Sequence, residues 1–206
     1  MRKSAATLDS EMSPNEIAYL LSLIKQYSPT GKLLEVGTAA GGTLCRMMKS
    51  LAGQPQQPQW VVVDPMTYFP QQHELVKKNL QDNGLNPARV DIRPVRSNIA
   101  FAQAEKSGEQ FDFIVIDAAH KIKYVTEDLR WARLLKPNGL ILFHDYNSGN
   151  KDITLPINRF LRKYKNYKVL GRADSLLAIQ KTAPSTRREV SASDRLYSFA
   201  MAPVLQ

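Results

Sequence analysis

Residues 33–43 read LLEVGTAAGGT: an apolar run, a carboxylate at Glu35, then Gly37, Gly41 and Gly42 in quick succession. A buried strand that runs into a glycine turn and then a helix is the entry unit of an open parallel sheet, in which ligands lie beyond the carboxyl ends of the strands. Glycines at such a turn let backbone approach a ligand with no Cβ in the way. The helix starting near Gly42 turns its amide dipoles toward the same place. A dinucleotide-binding turn would read G-x-G-x-x-G. Gly37-Thr38-Ala39-Ala40-Gly41-Gly42 does not, and Glu35 is poorly placed beside a phosphate. The turn therefore suits a ligand that brings a cation or a hydrogen-bond donor close to an acid.

Outward from this stretch the chain alternates short apolar runs with amphipathic ones, the sequence signature of a parallel sheet covered by helices. Strands are expected at Lys32–Val36, Trp60–Asp64, Val90–Pro94, Phe111–Asp117 and Leu140–His144, with helices over 42–53, 71–83, 98–107 and 122–135 between them. Ser13-Pro14-Asn15-Glu16 is a capping box with proline at the first helical position, and Ile17, Leu20, Leu21 and Ile24 form the apolar face behind it. A further helix is expected around 155–165, opening at Pro156. After it come Tyr167–Gly171 and Ser175–Gln180, so close together that only an antiparallel hairpin can join them. The expected fold is α/β, a Rossmann-like doubly wound seven-stranded sheet, parallel except for its last strand. Residues 1–182 form the domain. Residues 183–206, APSTRREVSASDRLYSFAMAPVLQ, read as a tail that is either flexible or docked on a partner.

Composition sets outer limits. With 206 residues, 43% hydrophobic and 23% charged, the chain has the make-up of one globular domain rather than a disordered or membrane-spanning protein. No apolar run reaches the ~20 residues that cross a bilayer, and MRKSAATLDSEMS lacks the apolar stretch of a secretory signal. Cys45 is the only cysteine, which excludes an internal disulfide and fits the cytoplasm. Cys45, Trp60 and Trp131 read as packing residues, and His73 as a solvated one.

Glu35-Val36-Gly37-Thr38-Ala39-Ala40-Gly41 resembles the first motif of the class I S-adenosylmethionine-dependent methyltransferases: an acid, any residue, glycine, three residues, glycine. The resemblance covers roughly residues 12–181. It implies that Glu35, Gly37, Thr38, Gly41 and Gly42 line the S-adenosyl-L-methionine site, and that Asp64, in VVVDP, binds the ribose hydroxyls. By the same resemblance Ser97 and Asn98 lie near the adenine. A narrower resemblance rests on FDFIVIDAAHKIKYVTEDLRWARLLKPNGLILFHDY, residues 111–146. It is similar to a group of bacterial O-methyltransferases, often acting on sugars and natural products, whose fourth strand ends in an I-D-G-D-H-type sequence and whose fifth ends in H-D-Y. Asp117 and His120 keep the first motif, and His144, Asp145 and Tyr146 keep the second. Ala118 and Ala119 depart from the group, Ala119 standing where it has an acid.

The chemistry explains such a gathering. Methyl transfer from a sulfonium is an in-line displacement, so alignment and exclusion of water matter most. A hydroxyl acceptor must also lose its proton, to a general base or under the pull of a cation. His120 and His144 are candidate bases, with Asp117 as a further catalytic or cofactor-binding group. Asp117 and Asp145, closing adjacent strands, could share Mg2+ or another divalent cation with Asn147. Against these stand plainer roles: Asp117 as a helix cap, His120 as a surface histidine, His144 as a hydrogen-bonded residue behind the site.

The formal net charge is +9, and much of the excess lies in Lys151, Arg159, Arg162, Lys163, Lys165, Lys168 and Arg172. This patch would either steer an anionic acceptor or be a solvated face. A nucleic-acid methyltransferase is the alternative it raises, but the N/D-P-P-Y/F motif of base-amino methylation is missing from IDAAHK. The expected partner is thus a small-molecule or glycan acceptor, with nucleic acid disfavoured and a homodimer as one way to complete the pocket. A non-catalytic cofactor-binding module is the third reading, left open by Ala119.

Overall fold

The computed structural model describes residues 10–205. Its elements in chain order are α1 (Pro14–Tyr27), β1 (Lys32–Val36), α2 (Gly42–Ser50), β2 (Gln59–Val63), α3 (Gln72–Asp82), β3 (Val90–Arg93), α4 (Ser97–Lys106), β4 (Phe111–Ile116), α5 (Ile122–Asp128), β5 (Leu135–Phe143), α6 (Lys151–Lys163), β6 (Tyr167–Ala173), β7 (Leu176–Lys181) and α7 (Ala192–Met201). The strands form one sheet in the order β3-β2-β1-β4-β5-β7-β6. β7 runs antiparallel to both of its neighbours, and the other pairings are parallel. The chain crosses over between β1 and β4, so strand order reverses at the exit of β1, where a doubly wound sheet opens a crevice.

Side chains alternate across a strand, and these strands are apolar on both faces because helices cover both. Leu34, Val61, Ile114, Ile116 and Phe143 pack toward Phe101, Trp131, Ile157 and Phe160. Leu33, Val62, Phe113, Val115 and Leu142 pack the other way, toward Leu20, Ile24, Leu44 and Met47. Trp60, Trp131 and Cys45 are buried, as expected of packing residues, and Trp131 meets Phe101 and Phe111 edge-on. No helix among the described residues is long and apolar enough to cross a membrane.

Three local expectations differ from the structure. The helix expected over 122–135 stops at Asp128 and tightens into a 3-10 stretch, Leu129–Leu134, that delivers the chain directly into β5. The helix expected to open at Pro156 starts five residues earlier. The Asn150 side chain accepts from the Asp152 amide and caps it, leaving Pro156 inside the helix. A proline there forgoes one helical hydrogen bond, and its ring is buried against the core instead.

The third difference is at 183–206. Ser191 and Asp194 form a capping box for α7, and one side of the helix packs against α5 of the same chain while Leu196 and Phe199 stay exposed. Asp194 accepts from Lys163 Nζ at 2.6 Å, Arg159 Nε at 3.0 Å and the Tyr164 hydroxyl at 2.9 Å. Two cations of the basic segment are therefore committed to holding α7 on α6. Replacing Asp194 by alanine removes its half of the capping box, the acceptor for Ser191 N–H, and both ion pairs. Global stability should fall by about 1–2 kcal/mol. Hydrogen exchange should quicken over Ala192–Met201 while the amides of β1 and β4 keep their protection.

Candidate active site

Sheet register builds the site. Val36 pairs with Val63 on one side and Ile116 on the other, and Ile116 pairs with Phe143. One residue further on, four strand exits line up as Asp64, Gly37, Asp117 and His144. The ladder continues through them: Gly37 N–H donates to Val63 O, Asp117 N–H to Val36 O and His144 N–H to Ile116 O. This row is tight at Gly37, whose φ is 83° and whose missing Cβ would run into the Asp117 carbonyl oxygen. Only glycine satisfies both the left-handed backbone and the close approach.

The turn that follows is held from outside. Gln72, buried at the start of α3, donates from Nε2 to Ala39 O, and Asn79 donates from Nδ2 to Ala40 O. Gly41, at φ 86°, then caps α2. Neither amide was singled out in the sequence, because nothing local marks a glutamine or asparagine on an amphipathic helix as a tether for a distant loop. Asp64 accepts from Thr38 N–H at 3.0 Å and from Met66 N–H at 2.7 Å, one bond per oxygen, which fixes its carboxylate against the turn and leaves lone pairs for a ligand. Glu35 is fully buried. Its Oε2 and the nearby Thr38 Oγ1 make no hydrogen bond of ordinary geometry, and burial, with the carboxylates of Asp117 and Asp64, outweighs the support of the Thr38 hydroxyl and pushes the Glu35 carboxyl up to about 8. An acid stripped of water beside a glycine turn accommodates a ligand that supplies positive charge or donors.

At the other end of the row, His144 sits among three acids. Its Nδ1 is 3.0 Å from Asp117 Oδ1 and 3.4 Å from Asp145 Oδ2, and its Nε2 is 3.2 Å from Glu16 Oε2. Carboxylates only accept, so both ring nitrogens carry protons. Burial would lower the imidazole's pKa, but the hydrogen bonds and charges of Asp117 and Asp145 outweigh it and push it up to about 11. A histidine in that state has no lone pair for a substrate proton. Of the two histidines read as candidate bases, His120 is the one the geometry leaves able to act. Its Nε2 lies 3.2 Å from Asp145 Oδ2, and the ring is half exposed at the mouth of the site.

Asp117, His120 and Asp145 each offer a ligand atom within 4.8 Å of the others, an oxygen-and-imidazole set suited to a hard divalent cation. Asn147, expected beside them, is exposed in a left-handed conformation, with its N–H donating to Thr154 Oγ1. Below these exits a small cavity is lined by Ile116, Asp117, His120, Asp128, His144 and Ile157. Asp128 was not anticipated; burial pushes its carboxyl up to about 7. Ser97, expected near the adenine, turns inward, its hydroxyl accepting from Trp131 Nε1 at 2.9 Å beside the buried Asp128. Asn98 stays exposed in the first turn of α4.

A seven-stranded sheet with a single reversed strand, a glycine turn after β1 and an acid closing β2 define the class I methyltransferase architecture. The family model described as a methyltransferase domain matches residues 34–146, and the chain belongs to that family. No curated protein matches the sequence. Among solved structures, an O-methyltransferase from Bacillus cereus in complex with SAH aligns at 22% identity over 86% of each chain with a TM-score of 0.64. Cofactor-bound Rv0187 from MTB gives 17% identity over 88% of this chain and 85% of that one, at 0.68. The O-methyltransferase TomG from Streptomyces achromogenes, in complex with SAM and involved in tomaymycin synthesis, gives 16% over 84% and 82%, at 0.65. At these identities the likeness is one of fold.

The state of His144 is directly measurable. Because its pKa lies above the ordinary ~6.5, the stabilisation it brings is fully present below that value and is lost only as pH rises toward about 11. In proton–nitrogen NMR of the three imidazoles, the His144 signals should show two N–H groups and hold constant between about pH 6 and about pH 9. Titration of His144 in that window would return it to the list of bases.

Proposed function

We propose that the protein is an S-adenosylmethionine-dependent O-methyltransferase acting on a hydroxyl of a small molecule. The row Asp64, Gly37, Asp117, His144 carries the reading, because it sets a cofactor-binding turn and a proton-handling cluster side by side on one sheet edge. The residues fit the cofactor. Glu35 and Thr38 hold unpartnered polar atoms beneath the turn, Gly37 has no side chain to obstruct it, and Asp64 has spare lone pairs where ribose hydroxyls would bond. The cofactor, when bound, supplies an electrophilic methyl group on a sulfonium.

The chain does the rest. Asp145 accepts from His120 Nε2, which leaves Nδ1 of that ring to take the acceptor's proton. Asp117 is held by His144 through Oδ1, which leaves Oδ2 available to a ligand. Alternatively, a magnesium or manganese ion would be held by Asp117, Asp145 and His120, the imidazole lone pair then serving the ion instead of the proton, and there it would lower the pKa of the hydroxyl.

The proposal includes a cytoplasmic setting, which the free, buried thiol of Cys45 supports. It extends to glycan acceptors. Attraction of an anionic acceptor would fall to the exposed Lys121, Lys123 and Lys151 around the strand exits, since Arg159 and Lys163 are tied to Asp194. A homodimer belongs to it as well, supported by the exposed Leu196, Phe199 and Val204 at the C-terminal end.

The test is methyl transfer from labelled S-adenosylmethionine to a panel of small hydroxyl compounds, with the demethylated cofactor's affinity measured alongside. Asp64→Ala should weaken S-adenosylhomocysteine by at least ~1 kcal/mol in calorimetry through lost charge-assisted hydrogen bonds. Preference for a nicotinamide dinucleotide would overturn the assignment. Chelation should lower turnover, and magnesium or manganese should restore it in the wild type but not in Asp145→Asn. Full turnover after exhaustive chelation would assign the proton to His120 without a metal.

A further inference from the structure

Glu16 lies on α1, far in sequence from every motif of the site, and is almost fully buried. Its Oε2 accepts from Ser13 N–H at 2.7 Å, closing the capping box, and faces His144 Nε2 at 3.2 Å. Its Oε1 accepts from Ser175 N–H at 2.9 Å and from the Ser175 hydroxyl at 2.6 Å, in the turn between β6 and β7. Ser13 adds a bond from its hydroxyl to Asp174 Oδ2 at 2.6 Å in the same turn. A helix cap needs only the Ser13 contact. The other bonds lock the carboxylate between the sheet and the imidazole, so the ring of His144 is pinned at both nitrogens and can present Nδ1 only to Asp117 and Asp145.

We infer that Glu16 is a positioning residue: through His144 it fixes the two carboxylates that face the acceptor, and it couples the seating of α1 to the geometry of the site. The inference rests on the methyltransferase reading for what the carboxylates do, and on the contacts in the structure for how they are held. Removing Glu16 would free the His144 ring to turn about its side-chain bonds, and Asp117 and Asp145 would lose their common donor. Cofactor binding, centred on Asp64 and Gly37, would be spared.

Glu16→Gln tests this role. Its carbonyl oxygen can still serve Ser175, but the amide nitrogen then faces the N–H groups of both His144 Nε2 and Ser13, so the backbone half of the capping box is lost together with the contact to the ring. The ring must give up that proton or rotate. Ser13→Ala is the control, since it loses the hydroxyl that caps α1 while Glu16 still reaches His144. Both variants and the wild type are to be compared in their complexes with S-adenosylhomocysteine, by NMR of the imidazole nitrogens and by crystallography.

The expected result is a displaced Nε2 signal and a broken His144–Asp117 contact in Glu16→Gln only, with S-adenosylhomocysteine affinity within about twofold of wild type. Methyl transfer to any panel acceptor should fall by about tenfold or more, as for other residues that orient a ligand from behind. Unchanged His144 signals and geometry in Glu16→Gln would overturn the positioning role. Absence of S-adenosylhomocysteine binding in the wild type would instead overturn the methyltransferase reading, while the NMR comparison on the free protein would still decide the contact.

Discussion

The site depends on one missing methyl group. β1 and β4 leave the sheet side by side, and the chain at Gly37 passes so close to the Asp117 carbonyl that no Cβ fits between them. With φ at 83°, the same residue also turns the backbone away from the strand and into the loop before α2. Two demands fall on one position, and glycine alone meets both. Through that contact the exits of β2, β1, β4 and β5 stay in register, and the glycine turn and the cluster of acids around His144 become neighbours instead of separate features of a common fold.

Electrostatics then assigns roles along the row. The acids near it are not equivalent. Asp64 is stabilised by two backbone N–H groups, Glu35 is stripped of partners and pushed toward neutrality, and Asp117 and Asp145 share an imidazolium. A buried cation between carboxylates offsets the repulsion that several acids at one sheet edge would otherwise create. His144 is better understood as a fixed positive charge than as a base. In the proposed function, proton transfer therefore falls to His120, more exposed and oriented by Asp145.

Much of this was legible in the sequence because the signals are local. A glycine turn after an apolar run, acids closing three strands and a short hairpin spacing all follow from backbone chemistry within a few residues, and they point to a parallel sheet with one reversed strand. The Ser13–Glu16 capping box was equally readable as the start of α1. Its second role was not, because the contact from Glu16 to His144 joins residues 128 positions apart, and no spacing rule reports it. Gln72, Asn79 and Asp128 were missed for the same reason. Lys163 and Arg159 looked like a free basic face until Asp194 folded back onto them, a long-range pairing that charge counting along the chain cannot show. Pro156 misled for a different reason: a proline that usually opens a helix is tolerated inside one when its ring is buried and a nearby asparagine supplies the cap.

The central claim is that the glycine turn and the row of strand exits form the S-adenosylmethionine site, with the acceptor chemistry at its His144 end. A crystal structure of the complex with S-adenosylhomocysteine tests it most directly. The account predicts ribose hydroxyls on Asp64, cofactor backbone against Gly37, and the sulfur directed toward Asp117 and His120. Electron density for the ligand elsewhere on the protein, or at the turn with its sulfur pointing away from Asp117, would contradict it.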